Sequence, residues 1–329
     1  MNEQDSNPPA VEFKDRGTSL IVFGILTMLL GGICALFVPL MIFGQVMAAK
    51  TSAAPANYQA VIPATAVYGL LAVALIWLGI GSIKARRWAR ALLLIFSWSW
   101  LVIGVVAIGF MMFLLPKMIE ATQSAQPAGQ PQAAAALKVA MVFMLLVLGV
   151  VFIALPAVWV WFYRSPHVKA TCEARDPVTR WTDACPLPML AVSLWLGFSA
   201  AMMLMMPLAY HGVLPCFGVF LSGVPGTLGY LVLASIWGWA ARALYQLDVR
   251  GWWLIVVSFC VLTLSHVITY SHHDVMELYG LMGYPEQQME QMKKFSFLTG
   301  GLMTWGSLVF MLPLLGYLIY VKKFFRRTK

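Results

Sequence analysis

Residues 184–241 read ACPLPMLAVSLWLGFSAAMMLMMPLAYHGVLPCFGVFLSGVPGTLGYLVLASIWGWAA, 58 positions between Asp183 and Arg242 without one Asp, Glu, Lys or Arg. As a single helix this stretch would run about 87 Å at 1.5 Å per residue, against a hydrocarbon core of about 30 Å. It therefore has to turn back on itself. His211–Gly226 carries the turn formers Pro215, Gly223, Pro225 and Gly226, which divides the stretch into two spans near 187–209 and 224–243. No long alternating pattern supports a β-barrel. Only helices and closed barrels satisfy every backbone polar group in lipid, so the stretch reads as a transmembrane helix pair.

The same pattern extends in both directions. Charge-free runs between Arg16 and Lys50, Lys50 and Lys84, Arg90 and Lys117, and Lys138 and Arg164 place spans near 18–44, 62–83, 91–115 and 139–162. Two more lie near 251–271 and 297–320. The chain reads as an all-α polytopic membrane protein with about eight transmembrane helices. Composition agrees: 61% of residues are hydrophobic and only 11% charged, whereas a soluble domain is about a quarter charged. The mixed-charge residues 1–16 and the long apolar run after them argue for a retained first span, not a cleaved signal peptide.

Basic residues set the orientation. With the N-terminus inside, 17 Lys and Arg fall on inner segments: Lys14, Arg16, Lys84, Arg86, Arg87, Arg90, Arg164, Lys169, Arg175, Arg180, Arg242, Arg250, Lys322, Lys323, Arg326, Arg327 and Lys329. Only 5 fall outside, namely Lys50, Lys117, Lys138, Lys293 and Lys294. The positive-inside rule then puts both termini in the cytoplasm, and a bacterial inner (plasma) membrane is the expected setting. The net charge of +9 belongs to these short clusters beside apolar runs, and a nucleic-acid partner is not expected.

Tyr68, Leu71, Ala72 and Trp77 recur as Tyr230, Leu233, Ala234 and Trp239. Each set leads into a basic turn with tryptophan. This points to two four-helix halves related by a pseudo-twofold axis along the membrane normal, as in parallel repeats. The expected organisation is a tail at 1–17, a first half at 18–163, a cytoplasmic connector at 164–186, a second half at 187–321 and a basic tail at 322–329. Gly17, Gly24 and Gly31 recur every seven residues and mark a close-packed face of the first span. The Ala-, Gln- and Pro-rich segment 117–138 reads as a mobile linker. A short helix on the membrane surface is expected within 272–296.

Candidate chemistry concentrates on the predicted outer face, where His211, His266, His272 and His273 fall. If the seventh span continues as a helix, His266, Tyr270, His273 and Glu277 share one face, because their spacings are 4, 3 and 4. His and carboxylate together suit a divalent metal, so His211, His266, His273 and Glu277 are the candidate ligands. His211 and His266 on facing helices would suit axial haem ligation. The plainer alternative is polar residues at a wet helix end, with His266 hydrogen-bonded to Tyr270 or His211. Met202, Met203, Met205, Met206, Met276, Met282, Met289 and Met292 would suit Cu(I), or serve as adaptable packing. No resident cofactor is predicted.

The connector holds Cys172 and Cys185, 13 residues apart, without the paired spacing of a zinc site. It reads as an ordered link between the halves or as a docking surface for a protein partner, and one of its thiols is expected to be reachable by reagents. The basic tail is expected to meet anionic lipid. Almost no ionisable group lies inside the spans, unlike ion-coupled transporters, and no P-loop or H-E-x-x-H occurs. The leading expectation is a non-enzymatic structural or accessory membrane protein. The alternatives are a transporter of a small or apolar solute through the interface of the halves, and a metal or haem protein using the outer histidines.

Overall fold

The computed structural model describes residues 14–51, 58–124, 131–284, 286–293 and 300–328. Nearly all of it is helix, and the protein is an all-α polytopic membrane protein. Seven described segments are long and apolar enough to cross a membrane: Gly17–Met47, Val61–Ile83, Arg87–Pro116, Val139–Arg164, Leu187–Tyr210, Val224–Tyr245 and Val249–His272. They belong to α1 (Gly17–Thr51), α2 (Tyr58–Ile83), α3 (Arg87–Ser124), α4 with α5 (Pro131–Gly149 and Leu155–Arg164), α7 (Leu187–Tyr210), α8 (Val224–Tyr245) and α9 (Val249–His272). The connector contributes α6 (Pro166–Arg175). After α9 come α10 (Val275–Leu281), α11 (Glu286–Lys293) and α12 (Gly300–Val321), a 22-residue helix in the place of the eighth expected span. Side chains such as Leu36, Val73, Val139, Leu208 and Leu312 are about 70% exposed. Contiguous apolar surface of that kind needs lipid or a partner to cover it.

Among the described residues α1 and α2 share the most extensive helix contact, through Gly24 and Gly31, while Gly17 abuts the Arg175 side chain of α6. A methyl added at Gly24 would meet the Gly79 carbonyl at 2.8 Å and the Ile83 amide nitrogen at 3.0 Å; one at Gly31 would meet the Ala72 carbonyl at 3.1 Å. Between α4 and α5 the helix loosens into a π-turn at Val150–Ala154. Pro156 follows within the first turn of α5 and lacks the amide that would bond the Phe152 carbonyl. That carbonyl faces Gly104 of α3, where any side chain would collide with it.

The α2–α3 turn recurs, 162 residues on, as the α8–α9 turn. Ala85 and Leu247 both adopt the left-handed conformation, with φ 50° and 59°. Arg86 N–H bonds Gly81 O at 2.9 Å, and Asp248 N–H bonds Ala243 O at 2.9 Å; Ala85 N–H reaches Ser82 O at 2.8 Å, and Leu247 N–H reaches Leu244 O at 3.0 Å. Both are Schellman closures. Gly81 abuts the Ala89 methyl, and Gly251 abuts the Ala243 methyl, the same contact with Gly and Ala exchanged. Fully buried Leu93 falls on fully buried Ile255. Each lies in its own apolar core, one built on α1, α2, α3 and α5, the other mainly on α7, α8, α9 and α12.

The halves meet where α7 packs on α2 and α3, with Trp195 Nε1 donating to Ser99 Oγ at 2.6 Å. A twofold axis would pair α1 with α8 and α9 to the same extent. No comparable interface of those helices exists among the described residues, so the described contact between the halves joins unlike surfaces.

Two expectations about loops change. Within 117–138, α3 runs on to Ser124 and α4 already begins at Pro131, because alanine-rich sequence propagates helix; residues 125–130 lie outside the described residues. The 211–226 turn holds an antiparallel hairpin, β1 (Leu214–Cys216) with β2 (Val219–Leu221), in register Cys216↔Val219. Phe217 and Gly218 form its two-residue turn, both with positive φ.

Candidate functional sites at the two ends of the bundle

At the basic end the connector is folded onto the spans. Asp176 is buried to 1% exposure and takes Arg86 Nη1 at 3.2 Å, the Arg87 N–H at 3.3 Å and Arg180 Nη2 at 3.6 Å. Arg87 also reaches Asp183 at 3.3 Å, and Asp183 Oδ2 accepts the Arg180 N–H at 3.0 Å, closing the short 3-10 turn Trp181–Asp183. On the other side Thr171 Oγ1 accepts the Arg16 N–H at 3.0 Å, and Arg175 pairs with Asp15 at 2.7 Å. The Gly17 N–H and Arg175 hold the Asp15 carboxyl below its ordinary range. The Trp181 carbonyl accepts the Tyr245 hydroxyl at 2.9 Å. One connector therefore binds the start of α1, the α2–α3 turn and the end of α8, and so touches both halves.

Cys172 and Cys185 are core residues of this arrangement, 1% and 4% exposed. The expectation of a reachable thiol is corrected: burial pushes both thiols up to about 11, and an unexposed neutral thiol is a poor nucleophile.

Between the ends, several polar side chains join helices, while others such as Ser97 and Ser235 bond a carbonyl of their own helix. Tyr163 hydroxyl and Ser82 Oγ lie 2.8 Å apart, and Ser82 donates to Leu20 O at 3.0 Å. Trp159 Nε1 donates to Thr27 Oγ1 at 3.2 Å, which itself donates to Phe23 O at 2.7 Å. In the second half Ser193 donates to Ala241 O at 2.7 Å, Trp237 Nε1 to Ser258 Oγ at 2.8 Å and Trp252 Nε1 to Leu318 O at 2.7 Å. All these groups are neutral, and away from water each bond spares a desolvation cost.

At the opposite end, α9 stops at His272. His273 is extended (φ −122°, ψ 146°), and Asp274 caps α10 through the Met276 N–H at 3.4 Å. The single continuous face of His266, Tyr270, His273 and Glu277 is therefore broken. His273 still meets Glu277, with Nδ1 to Oε2 at 2.8 Å, while Nε2 lies 2.9 Å from Gly218 O. Both partners only accept, so the imidazolium suits the site, and its pKa is raised by Glu277 first and Gly218 second. His266 packs on Tyr270 with ring centroids 4.4 Å apart. His211 ends α7 in the left-handed conformation, φ 53°, with its ring beside Gly283. The three histidines thus make three different sets of contacts. Both nitrogens of His273 are engaged, and a metal would have to displace one of those bonds. Among the described residues no three His, Cys, Asp or Glu are grouped to hold a metal ion.

Around His273 an ordered cap forms. Phe217 N–H bonds Ser265 Oγ at 2.9 Å, Gly218 N–H bonds Thr269 Oγ1 at 3.0 Å and the Tyr230 hydroxyl bonds Val213 O at 2.9 Å. Val213, Tyr270, Val275 and Leu278 form its apolar centre.

Fold and sites together define the class: a helical multi-span membrane protein with a folded connector at its basic end and a hairpin cap at the other. Comparison with protein-family models, curated proteins and solved structures found no match to this chain.

Proposed function

We propose that this protein is an accessory, non-catalytic component of a bacterial inner membrane. It crosses eight times with both termini and the connector on the cytoplasmic side, and its two four-helix halves descend from one duplicated unit. The repeated turn at Ala85 and Leu247 supports the duplication. The gathering of Arg86, Arg87, Arg175 and Arg180 at one end supports the orientation.

The observation that carries the accessory role is the use of polar groups. Ser82, Tyr163, Thr27, Trp159, Ser193 and Trp237 each bond across helices, and Asp176 of the connector is engaged by Arg86 of the α2–α3 turn. A rigid body of this kind suits holding a partner. The connector offers Val178 and Trp181, exposed to 59% and 46%, as the apolar contact for a protein.

The test is reconstitution beside crosslinking. A photoreactive residue at Val178 or Trp181 should capture one partner in stoichiometric yield from native membranes, while the purified protein in liposomes takes up no small neutral solute. Uptake by the purified protein alone would replace this reading with transport.

A further inference from the structure

A cleft of about 680 Å³ opens on the side of the first half, between α1, α3 and α5 at their basic ends. Its walls are apolar, with Phe23, Trp98 and Val160 among them; Arg16, Arg164 and Ser165 stand at its polar end. That volume is in the range of small-molecule and lipid-sized sites.

The charges decide what it takes. Arg86, Arg87, Lys169, Arg175 and Arg180, on the same end of the molecule, each lie within 4.0 Å of a carboxylate. Arg16 and Arg164 form no ion pair among the described residues, yet both line the cleft. Arg16 immediately precedes α1 and Arg164 ends α5, so both sit where a span meets the interface. The Arg16 backbone is pinned by Thr171, which fixes its place at the mouth. Two guanidiniums without a carboxylate partner among the described residues, over an aromatic, laterally open groove, match a phosphate joined to an acyl chain: the planar forks take phosphate oxygens bidentately, and the groove buries hydrocarbon.

We infer that this cleft is a binding site for one anionic phospholipid, its phosphate between Arg16 and Arg164 and one acyl chain along Phe23 and Trp98. The inference rests on the membrane class and is independent of the accessory role.

The test is native mass spectrometry of the full chain in detergent with phosphatidylglycerol, phosphatidylcholine or inorganic phosphate added. One phosphatidylglycerol should bind in preference to phosphatidylcholine, and inorganic phosphate should not displace it. The double variant Arg16→Gln/Arg164→Gln should lose affinity about tenfold or more, as expected for two charged hydrogen-bonding groups. Arg242→Gln/Arg250→Gln, which removes equal charge from the same end away from the cleft, should stay within about twofold of the parent on that scale. Leu101→Trp, which fills the cleft without touching charge, should also displace the lipid, and this arm decides the matter if the arginine variant unfolds. Equal losses in both arginine pairs, equal retention of phosphatidylcholine, displacement by inorganic phosphate, or full binding by Leu101→Trp would each overturn the site.

Discussion

Ala85 and Leu247 occupy the same position in two copies of one turn, 162 residues apart, and both hold a left-handed backbone that side chains disfavour. The cost of that conformation, about 1–2 kcal/mol for an L residue, is met in each copy by two closing hydrogen bonds. A β-branched residue is worse still in this region. Ala85→Val and Leu247→Val should therefore each lower stability by about 1 kcal/mol or more. Thermal unfolding in detergent measures both. A loss in one turn and none in the other would separate the two copies energetically.

Gly24 faces backbone and Gly32 faces open space. A methyl at Gly24 meets Gly79 O at 2.8 Å, whereas one at Gly32 meets nothing within 4 Å. Gly24→Ala should destabilise by about 1–3 kcal/mol through overpacking, and Gly32→Ala should not. Equal melting temperatures for the two variants would contradict the close α1–α2 contact.

The spans were legible in the sequence because lipid imposes a length and forbids charge, and Gly17, Gly24 and Gly31 showed the packed face of α1. The hairpin was not, because Pro215, Phe217 and Gly218 read equally well as an irregular turn; its register depends on Ser265 and Thr269, about fifty residues away. The break at His273 did leave a signal. Asp274 with Glu277 three residues later is a helix-start pattern, and it outweighs the 4, 3, 4 spacing of the candidate ligands. Asp176 left none: its burial is set by Arg86 and Arg87, far off in the chain.

Asp176 carries the connector. Its carboxylate is buried while its partner Arg86 is 41% exposed. Asp176→Ala removes the acceptor shared by Arg86, the Arg87 N–H and Arg180 and should cost about 1–3 kcal/mol. Arg86→Ala, a half-exposed partner, should cost about 1 kcal/mol or less. Limited proteolysis of 164–186 should accelerate in the first variant. A connector equally resistant in both would contradict the clasp.

His273 should make the cap sensitive to pH. Folding raises its pKa, through Glu277 and then Gly218, so protonation favours the folded form. The contribution is present in full below the ordinary imidazole value near 6.5 and is lost as pH rises through the higher folded value. The melting temperature of the wild type should fall across that window, and His273→Gln should remove that part of the slope. An identical slope in both proteins would show that His273 does not titrate with folding.

In the proposed topology the connector and both termini lie on one side of the membrane and the hairpin on the other. Lys14→Cys, Val178→Cys, Lys323→Cys and Phe217→Cys, each in a background lacking the five native cysteines, test it with an impermeant maleimide on intact cells. Phe217→Cys, 51% exposed at the hairpin tip, should label at once, and the other three only after permeabilisation. Labelling of Val178→Cys in intact cells, with Phe217→Cys protected, would contradict the account.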